Sequence, residues 1–318
     1  MKTDYIFSVA PMMGYTTPHA RYFYRLLSKK TILFTEMIAS QALIRLNKNN
    51  KFEKNYIDNP VILQIGGNNE RELIECCQIA KKFNYNSINL NIGCPSKKVQ
   101  KGSFGACLMK DPLNVSRMIR SMINESEIDI SIKCRLGVDN FDSYEFLKKF
   151  ISINSDAGCK IFFIHARKAL LKGLNPHQNR NIPELQYDKV YKIKEEFKDL
   201  KIIINGGINS LNECNEHLKY VDGVMLGRLI QSNPLILNEV DHIFFGSEKE
   251  KINKYLVIKD YFNYIRKRLG EDSIFRLLSP LLNIFFAVPN SKKIKSEINN
   301  NIKKFDIDKL ERLFFELN

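Results

Sequence analysis

The chain has no Cys-x-x-Cys pair and no cluster of histidines, the spacings through which short motifs hold zinc. Its seven cysteines are Cys76, Cys77, Cys94, Cys107, Cys134, Cys159 and Cys214. An odd count without ligand spacing, behind a start that does not read as a secretion signal, favours reduced thiols, so neither disulfides nor a metal is expected. Long apolar runs are also missing. The longest, Leu277 to Val288, is broken by Ser279, Pro280 and Asn283 and is too short to span a bilayer, so no membrane partner and a cytoplasmic location are expected. No Gly-x-Gly-x-x-Gly follows a strand-like segment, which argues against a dinucleotide resident on a Rossmann unit. Acidic side chains are outnumbered, 35 against 49 basic ones, leaving a formal charge of +14. That excess suits an anionic partner such as RNA or DNA, although a chain rich in Lys, Asn and Ile throughout carries part of it regardless.

What is present is a regular alternation. Strand-like runs fall at Tyr5–Ala10, Ile32–Met37, Val61–Ile65, Ser87–Asn91, Ile130–Lys133, Ile161–Ile164, Lys201–Ile204 and Gly223–Leu226. Amphipathic stretches lie between them, among them Glu70–Phe83, Pro112–Asn124, Ser143–Asn154, Asp188–Phe197 and Ser210–Lys219. Strict β-then-α order implies a closed parallel barrel or a doubly wound sheet. Eight strands in a chain of 318 residues favour an α/β fold of the (β/α)8 TIM-barrel type. From about Ser247 the alternation gives way to helical stretches at Lys251–Leu269, Ser273–Phe286, Ser291–Asn301 and Asp306–Leu317. The expected division is a barrel over residues 1–246 and a smaller, lysine-bearing helical domain over 247–318, in a monomer.

The polar residues collect where the strands end. The ends read Pro11-Met12-Met13, Gln64-Ile-Gly-Gly, Asn91 to Cys94, Lys133-Cys-Arg135, His165-Ala-Arg167, Asn205-Gly206-Gly207 and Gly227-Arg228. In a barrel these ends converge on one face, where active sites are built. Gly93 and Pro95 interrupt regular structure on either side of Cys94, presenting one thiol for acid, base or nucleophile work. No partner for a nucleophile or a metal ligand stands at a fitting spacing. The glycines after the seventh and eighth strands, with Arg228, suit a phosphate. Pro11, Met12 and Met13 offer an apolar shelf, and Gln64, Asn91 and Lys133 offer donors for a flavin ring, so FMN fits better than NAD or FAD. Met12 and Met13 also suit core packing, and Lys133 an ion pair inside the barrel.

Ala10-Pro-Met-Met13, Gln64-Ile-Gly-Gly67, Asn89-Leu-Asn-Ile-Gly-Cys-Pro-Ser96, Gly105-Ala-Cys-Leu108, Lys133-Cys-Arg135, His165-Ala-Arg167, Asn205-Gly-Gly207 and Asp222-Gly-Val-Met-Leu-Gly-Arg228 resemble the tRNA-dihydrouridine synthases. The stretch from His165 to Pro183 resembles the A-type subfamily. The resemblance implies FMN reduced by NADPH, then hydride transfer to C6 of a tRNA uracil at D-loop positions 20 and 20a. It implies Cys94 as proton donor to C5. Pro11, Met12, Met13, Gln64, Lys133, His165, Asn205, Gly206, Gly207, Gly227 and Arg228 would hold FMN. Asn91 and Arg167 would face the uracil, and His177, Asn179, Arg180, Lys292 and Lys293 would contact tRNA. The sequence departs from the A-type pattern at Gly14 and Thr17, where acids are usual, and at Leu277-Leu-Ser-Pro-Leu-Leu282, where a basic helix is usual. Two alternatives remain: an FMN-dependent oxidoreductase of free pyrimidines, like the dihydroorotate dehydrogenases, and a non-catalytic tRNA-binding protein.

Overall fold

The structure, a computed structural model, describes residues 4–52, 59–248, 253–285, 296–298, 300 and 306–316. Nine strands are described: β1 (Phe7–Val9), β2 (Leu33–Phe34), β3 (Ile38–Ala39), β4 (Val61–Gly66), β5 (Ser87–Asn91), β6 (Asp129–Arg135), β7 (Ile161–His165), β8 (Lys201–Asn205) and β9 (Gly223–Leu226). All their pairings are parallel, in the order β1-β9-β8-β7-β6-β5-β4-β2, with β3 also on β4. The ring closes where Val9 N donates to Ile32 O (2.9 Å) and Ile32 N to Phe7 O (3.1 Å). β2 and β3 occupy one barrel position, so the architecture is the expected (β/α)8 barrel, with a helical C-terminal region.

The second barrel strand is split, against the sequence expectation of one run over Ile32–Met37. The Thr35 hydroxyl accepts from Gln64 N (3.0 Å) and donates to Glu36 O (2.7 Å). A side chain thus replaces the ladder partner, and regular pairing lapses until Ile38. The barrel interior is filled by Tyr5, Ala10, Ile32, Phe34, Ile62, Phe163, Ile203 and Met225. Side chains two apart share a face of a strand. Gln64 therefore follows Ile62, His165 follows Phe163, and Asn205 follows Ile203 up the same inner wall.

Packing divides the chain into two compact units that do not follow chain order: residues 1–13 with 32–227, and residues 14–31 with 228–318. The first is the barrel. In the second, helix Pro18–Leu27 belongs with helices Lys254–Arg268, Ile274–Leu278 and Ile307–Glu316. Thr17 caps the first of these, its Oγ1 accepting from Ala20 N (3.2 Å). This unit has its own aromatic core. Phe314 lies edge-on to Phe262 and tilted against Phe285, at 5.5 and 5.2 Å between centroids. Buried Tyr261 donates to Leu277 O (2.8 Å). The expected helix over Ser273–Phe286 is instead a short helix, Ile274–Leu278, and a separate 3-10 turn, Leu281–Asn283, because Pro280 lacks the N–H a continuous helix needs. Among the described residues, no helix is long and apolar enough to cross a membrane.

Candidate active site

β4, β5 and β6 bring four uncharged polar side chains into one buried array. Gln64 Nε2 donates to Asn89 Oδ1 (2.8 Å), and Asn89 Nδ2 to Ser131 Oγ (2.9 Å). Asn91 Nδ2 donates to Gln64 Oε1 (2.9 Å). The pairing register sets this up, since Gln64 lies opposite Asn89, and Asn89 opposite Ser131. Buried amides need such partners, because each unsatisfied one costs about 1–3 kcal/mol.

The array ends at Cys94. Asn91 Oδ1 accepts from both Gly93 N (3.1 Å) and Cys94 N (2.9 Å). Arg135 Nε donates to Gly93 O (2.9 Å), and Ala106 N to Cys94 O (3.0 Å). Gly105 stands at φ +77°, and a Cβ there would lie 2.6 Å from the Cys94 carbonyl. Ser96 then caps helix Lys97–Lys101 through Val99 N (3.3 Å). The backbone of Cys94 is held on every side while its side chain remains partly exposed. The other cysteines, Cys107 excepted, are buried. Burial pushes Cys77, Cys134, Cys159 and Cys214 up to about 12, which keeps them protonated and inert.

Two cations flank this loop. Lys133 Nζ donates to Asn205 Oδ1 (3.0 Å), and Asn205 Nδ2 to Met225 O (2.7 Å). Burial, aided by the Arg135 charge, pushes the Lys133 ammonium down to about 8, while the neighbouring sulfurs of Cys134 and Cys94 act in the opposite sense. Burial also lowers Arg135, to about 10, against the pull of Cys94 and with the charges of Arg180 and Arg167. Arg135 was not among the sequence-chosen site residues. β6 runs on to it, beyond the expected end at Lys133, and places it two residues along the same inner face. That i, i+2 relation was the available signal.

The loop from 168 to 183 is braced from within. Arg135 Nη1 reaches Lys168 O (3.0 Å) and Asn179 O (2.9 Å), and Arg167 Nη1 reaches the carbonyls of Asn181 and Pro183. Asn179, expected to contact tRNA, is fully buried. Its Oδ1 accepts from Leu170 N (2.8 Å) and its Nδ2 donates to Leu170 O (2.9 Å), so its side chain ties the loop to itself. His177 and Arg180 are exposed on the same loop. Lys292 and Lys293 lie outside the described residues.

Past β8, Gly206 and Gly207 take φ +120° and +73°. A Cβ on Gly206 would stand 3.0 Å from His165 Cδ2, and one on Gly207 would meet Leu185 at 2.5 Å and the Tyr187 hydroxyl at 2.8 Å. Only glycine fits this turn. Tyr187 Oη fixes it by donating to Gly206 O (2.7 Å). Gly227, past β9, lets Met12 pack close, at 3.3 Å from a would-be Cβ. Pro11 is half-buried and Met13 is 66% exposed. Arg228 begins helix Arg228–Ser232 directly after Gly227. Among the described residues no group of three or more His, Cys, Asp or Glu is placed to hold a metal.

The dihydrouridine synthase (Dus) family model matches residues 8–315. A tRNA-dihydrouridine(20/20a) synthase of Vibrio vulnificus is 42% identical over 299 residues, 93% of this chain and 91% of that protein. Proteins of the same name from Salmonella typhi and Escherichia coli K12 are 40% and 41% identical, over 96% and 95% of this chain and 92% and 88% of theirs.

Proposed function

Since the chain belongs to the dihydrouridine synthase family, we propose that it reduces uridines of the tRNA D-loop, at positions 20 and 20a as its relatives' names state, to 5,6-dihydrouridine, with bound FMN and with NADPH as reductant. The observation that carries this reading is a partly exposed thiol held by a fully bonded backbone at the mouth of a barrel lined by amides and cations.

The residues present fit FMN. The left-handed Gly206-Gly207 turn and Gly227 leave backbone that a phosphate can approach closely, and Arg228 supplies charge. Lys133 and Asn205, joined to each other, and Gln64, His165 and Pro11 to Met13 are of the kinds that hold a ring with polar edges and apolar faces. An anionic reduced ring would favour the charged form of Lys133, whose burial otherwise disfavours it. When bound, FMN supplies hydride to C6 of the uracil. The Cys94 thiol donates its proton to C5 and regains one from solvent, so the C5=C6 bond gains one hydride and one proton. Asn91 serves this step by holding the Cys94 loop, and Arg167 by fixing the loop beside it. A stacked uracil must first leave its stack; His177, Arg180 and the helical domain over 247–318, with Lys292 and Lys293, would grip the surrounding RNA. Within that region Arg266 is paired with Asp308 (2.6 Å), Arg268 with Glu271 (2.7 Å) and Arg276 with Asp272 (2.9 Å), and its lysines outnumber its arginines.

The test is NADPH oxidation by the purified, flavin-loaded protein with unmodified tRNA, orotate or uracil as acceptor. Turnover on tRNA alone is expected. Turnover on orotate would overturn the reading in favour of a free-pyrimidine oxidoreductase, and none on any acceptor would leave only RNA binding.

A further inference from the structure

Near the Cys94 loop the barrel rim carries a half-exposed apolar ring. Phe141 is 51% exposed. It closes a tight turn after β6 in which Val138 N donates to Phe141 O (3.0 Å) and Phe141 N to Val138 O (2.9 Å), with Asp139 at φ +52°. The turn is fastened to the loop after β7 by Asp139 N to Ala169 O (2.7 Å), Ala169 N to Gly137 O (2.9 Å) and Leu171 N to Asp139 Oδ1 (2.9 Å). Leu171 O in turn accepts from Gln100 Nε2 (3.0 Å), and the same amide donates to Pro95 O (2.8 Å), next to Cys94. From the other side, Lys110 ends the turn Gly105–Lys110, whose Ala106 holds the Cys94 carbonyl. Its ammonium lies 5.7 Å from the Phe141 ring centroid and 2.8 Å from Asp139. The Phe141 turn is thus rigid and a short chain of hydrogen bonds from the reacting thiol.

We propose that Phe141 is a stacking step for the nucleotide base flanking the extruded uridine. The proposal rests on the tRNA reading and adds a residue to it. Three features favour RNA over a protein partner. The ring is open on a turn that cannot fold away. Lys110 lies over the ring and pairs with Asp139, Lys168 pairs with Asp142 beside it, and Lys172 also acts on Asp139, so three cations stand against two acids on this turn and favour phosphates. Extruding a base breaks its stack with its neighbours, and an aromatic platform replaces part of that lost stacking without demanding a particular base. The ring's contact with Phe146, tilted at 5.7 Å, anchors one edge and fixes its angle.

The chain contains no tryptophan, so Phe141→Trp installs a single reporter. Its emission in the flavin-loaded protein is expected to be quenched by unmodified tRNA, whereas Tyr220→Trp, exposed where helix Leu211–Leu218 returns to β9, should not respond. Phe141→Leu keeps an apolar cover but loses the stacking face; KM for tRNA should rise about tenfold with kcat at saturation within about twofold, and Phe141→Tyr should restore it. Emission of the Phe141→Trp protein unmoved by saturating tRNA, or a leucine variant with unchanged KM, overturns the proposal. So does quenching that follows protein concentration without tRNA, which would mark contact with a second copy. Should the leucine variant fail to fold, the tryptophan reporter decides. Absence of dihydrouridine from the wild type would remove the activity reading, while tRNA quenching would still report the surface.

Discussion

Cys94 is placed by other residues' hydrogen bonds, and this makes its chemistry separable from its position. Cys94→Ala removes only the thiol, because all the bonds that hold residue 94 are to backbone atoms. The variant should keep its melting temperature and bound flavin but form dihydrouridine at least about 100-fold more slowly, as loss of a general acid does; undiminished single-turnover rates would remove Cys94 from the mechanism. Asn91→Ala should differ by weakening flavin retention and rate together, since Gly93 N, Cys94 N and Gln64 Oε1 all lose a partner. Lys133 carries a pH signature. Its folded value is near 8 against 10.5 unfolded, so between these values the unfolded chain binds more protons. Stability of the flavin-free protein should therefore gain from this group as pH rises from 8 to 10.5. Lys133→Met should abolish that gain in urea titrations while impairing flavin binding. Residue types at strand ends were legible in the sequence because they break apolar runs. Their partners were not. Gln64, Asn89, Asn91 and Ser131 are up to 67 positions apart in the chain, and nothing local distinguishes the buried brace Asn179 from an exposed asparagine.

At the scale of elements, the eight barrel positions were legible because buried parallel strands are short, continuous and β-branched. The break at Thr35 was not, since it depends on a hydroxyl meeting the amide of Gln64 across the sheet. Nor was the grouping of helix Pro18–Leu27 with the C-terminal helices, which no periodicity encodes. The proposed phosphate site rests on the glycine turn after β8. Gly207→Ala forces a Cβ into Leu185 and Tyr187 at a positive φ. It should cost about 1–3 kcal/mol, read as a lower urea midpoint, and should release FMN; a stable, fully yellow variant would show that the turn is not the phosphate site.

For the molecule as a whole, the formal charge of +14 is a statement about partners rather than fold. If tRNA phosphates meet the lysines, apparent affinity should fall at least about tenfold between roughly 50 and 200 mM salt; a flat response would point away from RNA. In the proposed reading the barrel and its cysteine loop supply the chemistry, while family membership supplies the class of substrate. The most direct test joins the two: unmodified tRNA is incubated with the flavin-loaded protein and NADPH, and dihydrouridine is mapped nucleotide by nucleotide by mass spectrometry. A gain of two hydrogens at positions 20 and 20a, absent with Cys94→Ala, is the expected result. A wild-type reaction that leaves every D-loop uridine unchanged would contradict it.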